Sequence, residues 1–309
     1  MLDICLLGTG GMMPLPRRHL TSLMVRCSGS TLLIDCGEGT QTAIREKGWS
    51  FKPIDTILLT HFHADHIAGL PGLFLTMGNA DRTEPVTVIG PKGIERVIAA
   101  VRVIAPELPF EIRTVAIETI EASFRVGELI VDAYHVFHRI PCYGYRITLP
   151  RAGRFDRAKA DANGVPMAYW SRLQKGEIIE AEDRLYTPDM VLGEARKGLT
   201  VTYNTDTRPT DLIRKYADHA DLFICEGMYG EPDKLDKARG YRHMTMQEAA
   251  VLAAEAEVGE LWLTHYSPAT TRPEQFMNEI RAIFPRTVAS RDGQSAELLF
   301  EGGKAGESE

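Results

Sequence analysis

Ile54-Asp55-Thr56-Ile57-Leu58-Leu59-Thr60-His61-Phe62-His63-Ala64-Asp65-His66 is the stretch on which the reading of this chain turns. Its first half is an almost unbroken apolar run of strand length, the pattern of a strand covered on both faces. Its second half places four side chains with metal-binding atoms within six residues. A loop at a strand's end aims neighbouring side chains in different directions. His61 and His63 can therefore face one metal ion while Asp65 and His66 face a second. Imidazole together with carboxylate suits zinc, and manganese or iron also accept such donors.

One loop cannot fill the coordination of two ions, so the remaining ligands must arrive from later strand ends. His138 follows a strand-like segment around residues 131–134. Asp206 follows Val201-Thr202-Tyr203-Asn204-Thr205, and His265 closes Leu261-Trp262-Leu263-Thr264. Open α/β sheets place their sites at the carboxyl ends of strands, where these three fall. His135 competes with His138. Side chains alternate along a strand, so at most one of the two faces the metals.

Outward from this motif, strand-like and helix-like segments alternate. Strands are expected at 2–7, 21–26, 31–35, 54–60, 86–90, 126–134, 143–149, 199–203, 222–225, 260–264 and 297–300. Helices are expected at 40–47, from Pro91 to about Val103, and at 209–216, 245–256 and 273–284. This is one α/β domain over residues 1–300. Residues 150–196 break the rhythm with more Gly, Pro and charge. Between Arg151 and Lys175 stand six basic residues and only Asp156 and Asp161 as acids, against a chain total of −7. The segment reads as an inserted arm. Residues 301–309 are polar and Gly-rich and read as a flexible tail.

Composition narrows the function classes. In 309 residues, 44% are hydrophobic and 25% charged, which permits a sizeable core and argues against disorder. No apolar run is long enough to span a bilayer, and the N-terminus has no basic region of a signal peptide. A cytoplasmic enzyme with no membrane partner is expected. The five cysteines are an odd number without CxxC spacing, so neither a disulfide framework nor a thiolate metal site is expected. The net negative charge carries no global signature of nucleic-acid binding, although a local basic patch remains compatible with it.

The motifs together resemble the ribonuclease Z family, the tRNA 3′-processing endonucleases of the metallo-β-lactamase superfamily. The resemblance rests on Asp35-Cys36-Gly37-Glu38-Gly39-Thr40-Gln41 and on the run from Thr60 through Gly69-Leu70-Pro71-Gly72-Leu73. Tyr143-Gly144-Tyr145-Arg146, Asp206-Thr207-Arg208-Pro209 and Leu263-Thr264-His265-Tyr266-Ser267 complete it. It implies a metallo-β-lactamase fold, a four-layer αββα sandwich with an inserted arm. It implies two zinc ions per chain, with Mn2+ or Fe2+ as alternatives. His61, His63 and His138 would hold one, Asp65, His66 and His265 the other, and Asp206 would bridge them. Asp35 would be structural rather than a ligand.

The same resemblance implies a reaction. Metal-activated water would cleave the 3′ trailer of precursor tRNA, with Asp65 as both ligand and proton acceptor. His243, in His243-Met244-Thr245, would face the scissile phosphate, and Glu226 is the carboxylate that could orient it. The arm would be an exosite for tRNA, carrying Gly153-Arg154-Phe155-Asp156, with Arg154 among the substrate contacts. Arg17 and Arg18 could meet phosphate through their guanidinium groups. A homodimer is also implied. Three motifs depart from the family pattern. PxKxRN is replaced by Pro14-Leu15-Pro16-Arg17-Arg18-His19. HEAT is replaced by Cys225-Glu226-Gly227-Met228, and the arm lacks its second Gly-Pro. Two other readings therefore stand beside the first. One is a hydrolase of the same fold acting on a small phosphodiester, cyclic nucleotide or lactone. The other is a non-catalytic RNA-binding protein.

Overall fold

In a computed structural model, which describes residues 1–181 and 184–300, the apolar run becomes β4 (Ile54–Leu58). It lies inside a seven-stranded sheet between β3 (Ser30–Ile34) and β5 (Val86–Pro91), parallel to both. A strand with parallel neighbours and both faces covered favours apolar side chains, and Ile54, Ile57 and Leu58 are fully buried while Thr56 is buried as well and Asp55 only in part. The sheet continues past β5 to β6 (Ile112–Ile117), parallel to it. On the other side β2 (Ser22–Cys27), β1 (Leu2–Gly8) and β16 (Gln294–Leu298) pair antiparallel.

The second seven-stranded sheet repeats this mixture. Its strands β7 (Glu121–Val126), β8 (Leu129–Val136) and β9 (Cys142–Arg151) pair antiparallel. β12 (Arg196–Asn204), β13 (Leu222–Glu226), β14 (Leu261–Thr264) and β15 (Thr287–Ala289) run parallel to one another.

Each sheet buries one face against helices. α1 (Thr40–Lys47), α3 (Leu70–Asn79) and α4 (Ile94–Ile104) cover the first through Ile44, Leu73, Phe74, Ile94 and Ile98. α7 (Asp211–Ala217), α9 (Met246–Glu255) and α10 (Met277–Ile283) cover the second through Ile213, Met246, Ala250 and Ile280. The alternate strand residues are buried too: Ile4, Leu6, Leu23 and Val25 in one sheet, and Tyr145, Ile147, Val201 and Tyr203 in the other. The result is the expected four-layer αββα sandwich. The sheets meet near the quoted loop, where the Tyr145 hydroxyl donates to the Leu59 carbonyl at 2.7 Å and the Tyr143 amide to the Thr60 carbonyl at 3.0 Å.

Some expected elements are redrawn. The strand expected at 126–134 is a hairpin: β7 ends at Val126, Gly127 turns at φ +56°, and β8 begins at Leu129. β7 is an edge strand with Val126 its one buried residue, so no apolar run marks it. The last strand lies at Gln294–Leu298 rather than 297–300, because its register is set by pairing with β1. The helix expected at 273–284 is a 3-10 turn, Pro273–Phe276, followed by α10.

Residues Leu149–Gly198 form a second compact unit, with a core of Ala160, Val165, Leu173, Ile179, Val191 and Leu192. It holds α5 (Arg157–Ala162), capped by the Asp156 carboxylate, α6 (Met167–Gln174), and a hairpin of β10 (Ile179–Ala181) and β11 (Arg184–Tyr186). The expected tail, 301–309, lies outside the described residues. All five cysteines are buried and unpaired. Among the described residues no helix is long and apolar enough to cross a membrane.

Candidate metal centre

The carboxyl ends of the strands converge. β4 delivers the loop with His61 and His63, which leads into α2 (Ala64–Ile67) carrying Asp65 and His66. β8 delivers His138, β12 delivers Asp206, β13 ends at Glu226, and β14 delivers His265. Asp35, Asp206 and His265 all sit at φ between +53° and +59°. Non-glycine residues there cost about 1–3 kcal/mol each and persist where their surroundings hold them.

Two donor clusters result. In the first, His61 Nε2 lies 2.9 Å from His63 Nδ1, and His138 Nε2 lies 3.3 Å from the same atom. In the second, His66 Nε2 and His265 Nε2 are 3.3 Å apart, with Asp65 Oδ2 at 3.7 and 3.5 Å from them. Asp206 reaches both. Its Oδ1 is 3.8 Å from His61 Nε2 and from His138 Nε2. Its Oδ2 is 3.0 Å from His66 Nε2 and 3.1 Å from His265 Nε2. His135, the competitor of His138, is exposed with its ring edge against Tyr143, as strand alternation requires.

The hydrogen-bond network assigns the tautomers. Thr60 Oγ1 lies 3.0 and 2.9 Å from the two Asp35 oxygens, which only accept. Thr60 therefore donates to Asp35 and accepts from His61 Nδ1–H at 3.0 Å. His66 Nδ1–H donates directly to Asp35 at 2.8 Å. His138 Nδ1–H faces the Arg242 carbonyl at 3.4 Å. In each ring the proton sits on Nδ1, so the lone pair on Nε2 points at the centre. Lone pairs about 3 Å apart repel unless a cation lies between them. A tetrahedral site with Zn–N bonds of about 2.0–2.1 Å has edges of about 3.3 Å, close to these separations. Asp206 Oδ2 and His265 Nδ1 are also buried without a hydrogen-bond partner. Donor chemistry, spacing and the orphaned carboxylate oxygen all fit divalent cations.

The electrostatics agree. Burial pulls the pKa of His61, His63 and His138 below the usual value, that of His138 to about 4, which keeps these rings neutral. Burial opposes ionisation of Asp65 and Asp206, but His265 and His66 overcome it and hold both carboxyls well below the usual range. Burial likewise disfavours a charged His66, yet Asp206 and Asp35 drive its pKa well up. The carboxylates thus create a demand for positive charge at this point.

Beside the clusters, His243 Nδ1 lies 3.0 Å from Glu226 Oε2 and 3.9 Å from Asp206 Oδ1. Burial lowers the His243 pKa, but the Glu226 charge and hydrogen bond, with Asp206 and Asp65, lift it to about 9. Glu226 also accepts from the amides of Thr207 at 2.5 Å and Met244 at 3.3 Å, so it ties the Asp206 loop to the His243 loop. His243 lines a cavity of ≈ 610 Å³ together with His63, Asp65, His138, Asp206 and His265.

The structure thus gathers the seven ligand candidates together with His243 and Glu226. The arginines fare differently. Arg18 donates to the carbonyls of Thr270 at 2.8 Å and Thr271 at 3.1 Å and packs over Tyr266. It thereby fastens its own loop. Arg17 is exposed at φ +65°, and Arg154 is exposed in the second unit.

Three contributors escaped the sequence reading. Thr60 was legible as a hydroxyl adjoining the first histidine. Arg208, in the quoted Asp206 motif, donates to the His243 carbonyl at 2.6 Å and pairs with Glu248. The Met12 amide donates to Asp65 Oδ2 at 2.7 Å from a left-handed conformation. It had only the preceding Gly10-Gly11 as a signal. Gly11 is required here, since a Cβ would lie 2.6 Å from the His265 ring.

The chain is 56% identical over 301 residues to a protein named ribonuclease Z from Lachnospira eligens, covering 97% of this chain and 99% of the relative. The chain belongs to the ribonuclease Z family. A family model described as anti-Pycsar protein Apyc1 matches residues 2–99. Among solved structures, the short form of human tRNase Z superposes with a TM-score of 0.69 at 24% identity, covering 96% of this chain and all of that one. The metallo-β-lactamase fold protein YhfI from Bacillus subtilis gives 0.69 at 19% identity, covering 96% and 98%. Both likenesses are of fold, and the family assignment rests on the sequence relative.

Proposed function

We propose that this chain is a metal-dependent endoribonuclease that removes the 3′ trailer of precursor tRNA. The observation that carries the chemistry is Asp206, whose two oxygens face two separate donor clusters. Membership of the ribonuclease Z family carries the substrate. His61, His63 and His138 would hold one cation, and Asp65, His66 and His265 the other, with Asp206 shared. The donor set favours two Zn2+, with Mn2+ or Fe2+ as substitutes. Bound there, such cations supply Lewis-acid charge to phosphoryl oxygens and to a water nucleophile.

The chain's own groups complete the reaction. Hydrolysis joins a water oxygen to phosphorus and releases the 3′ oxygen of the upstream nucleotide. Asp65, held by the Met12 amide, is the carboxylate assigned to accept the water's proton. His243 keeps Nδ1–H on Glu226, which directs Nε2 toward the cavity. Protonated near neutral pH, it donates to the phosphate or to the departing 3′ oxygen. Glu226 is a positioning residue, acting through His243.

Incubating the purified protein with precursor tRNA and mapping the 3′ ends of the product tests this reading. The altered 14–19 loop favours a second one, hydrolysis of a small phosphodiester. Turnover of bis(p-nitrophenyl) phosphate without cleavage of precursor tRNA would select it. The family resemblance supports a homodimer, and sedimentation at micromolar concentration tests the assembly.

A further inference from the structure

Two short segments flank the catalytic cavity, and each carries an aromatic residue, a histidine and an arginine. They are Phe137-His138-Arg139 and Tyr241-Arg242-His243. Their arginines are exchanged. The Arg139 guanidinium lies 5.1 Å from the centroid of the Tyr241 ring, and that of Arg242 lies 4.6 Å from the centroid of Phe137. Each arginine is also anchored to the opposite backbone: Arg139 donates to the Gly240 carbonyl at 2.8 Å and Arg242 to the His138 carbonyl at 2.5 Å. The rings are therefore held in place without being buried.

Phe137 is 50% exposed and Tyr241 51% exposed. Isolated exposed aromatics are common and carry no meaning by themselves. Tyr241 differs in its position. It lines the same cavity as His63, Asp65, Asp206 and His243, and Arg139 and Lys237 line that cavity with it. Phe137 lies outside the cavity wall. An immobilised ring flanked by cations, beside groups that act on a phosphodiester, matches the chemistry of an unpaired nucleotide. The base offers a π-face and the backbone offers negative charge. A base within a duplex offers no such face.

The geometry points to Tyr241, backed by Arg139, as a stacking shelf for the base of an unpaired nucleotide adjoining the scissile phosphate. This rests on the ribonuclease reading above and adds a requirement to it: the strand is single at the cut. The shelf contributes to holding the substrate, and the chemistry stays with the groups already named.

The test uses the metal-loaded protein and short RNA hairpins with an unpaired 3′ extension. Once the cut is mapped, it is blocked with a 3′-methylene phosphonate so that binding is read without cleavage. The nucleotide on either side carries a base or is abasic. Removing the base at one of these positions is expected to weaken wild-type binding about 10- to 100-fold, the range of one base–aromatic stack. In Tyr241→Ala the same removal changes binding less than about 2-fold, while Tyr241→Phe behaves as wild type. Tyr241 is half exposed, so both variants are expected to keep the wild-type melting temperature. Equal base-removal effects in wild type and Tyr241→Ala at both positions overturn the shelf while leaving cleavage of precursor tRNA intact. A wild type that neither binds these RNAs nor cleaves precursor tRNA overturns the ribonuclease reading and the shelf with it.

Discussion

Thr60 places its hydroxyl 3.0 and 2.9 Å from the two oxygens of Asp35, and through that hydrogen bond the carboxylate reaches both donor clusters. Asp35 holds His66 directly and His61 by way of Thr60. Thr60→Val keeps the shape and removes the relay. It is expected to weaken metal binding about 10- to 100-fold, the usual cost of losing a hydrogen bond behind a ligand. Thr60→Ser restores the hydroxyl and is expected to restore affinity. Competition against a chromophoric chelator measures both, and equal affinity for Thr60→Val and wild type would remove the relay from the account.

Asp206 is expected to control both metals. Wild type is expected to carry about two divalent ions per chain in the proposed site. Asp206→Ala takes away the one side chain common to both clusters and leaves buried imidazoles without their balancing charge. Elemental analysis is expected to find less than one ion per chain in that variant. A carefully prepared wild type holding less than one ion per chain would count against the binuclear centre itself.

His243 separates chemistry from metal binding. Six other imidazole and carboxylate side chains and Asp206 supply the clusters, so His243→Ala is expected to retain its metal. Its cleavage rate is expected to fall about 10²- to 10⁴-fold, the range for a general acid–base group. Glu226→Gln keeps a hydrogen-bonding side chain but removes the charge that lifts the His243 pKa. It should lower the maximal rate with little change in KM. Normal turnover in His243→Ala refutes the assignment, and loss of metal moves His243 into the coordination shell.

Gly153 and Gly193 approach so closely that a Cβ on the first would lie 2.1 Å from the carbonyl oxygen of the second. The Gly193 amide also donates to the Arg154 carbonyl at 2.9 Å. The segment between them can therefore be excised and the ends rejoined by a short turn. The shortened protein is expected to hydrolyse a small phosphodiester as before and to bind precursor tRNA more weakly. The slope of log affinity against log salt should shrink by about 0.7–0.9 for each phosphate that the shortened protein no longer neutralises. Unchanged tRNA affinity and slope would show that this unit is not an exosite.

Much of this protein was legible in the order of its residues. The run before His61 is rich in apolar residues, with Ile54, Ile57, Leu58 and Leu59 all buried, because β4 has parallel neighbours and two covered faces. The candidate ligands at 61, 63, 65, 66, 138, 206 and 265 stand out in the sequence because histidine and aspartate gather there at strand ends. The inserted unit shows in its change of composition. Edge strand β7 did not show, because a strand half open to solvent needs no apolar run. Tertiary structure alone brings the donor atoms within reach of one another, since Asp206 meets His66 and His265 only after β12 and β14 pair through β13. It alone turned Arg18 inward to two carbonyls, aimed the Met12 amide at Asp65, and set Arg139 against Tyr241. Those relations are directions of bonds between segments far apart in the chain. Local sequence constrains which groups are present, and packing of the two sheets constrains where each one points.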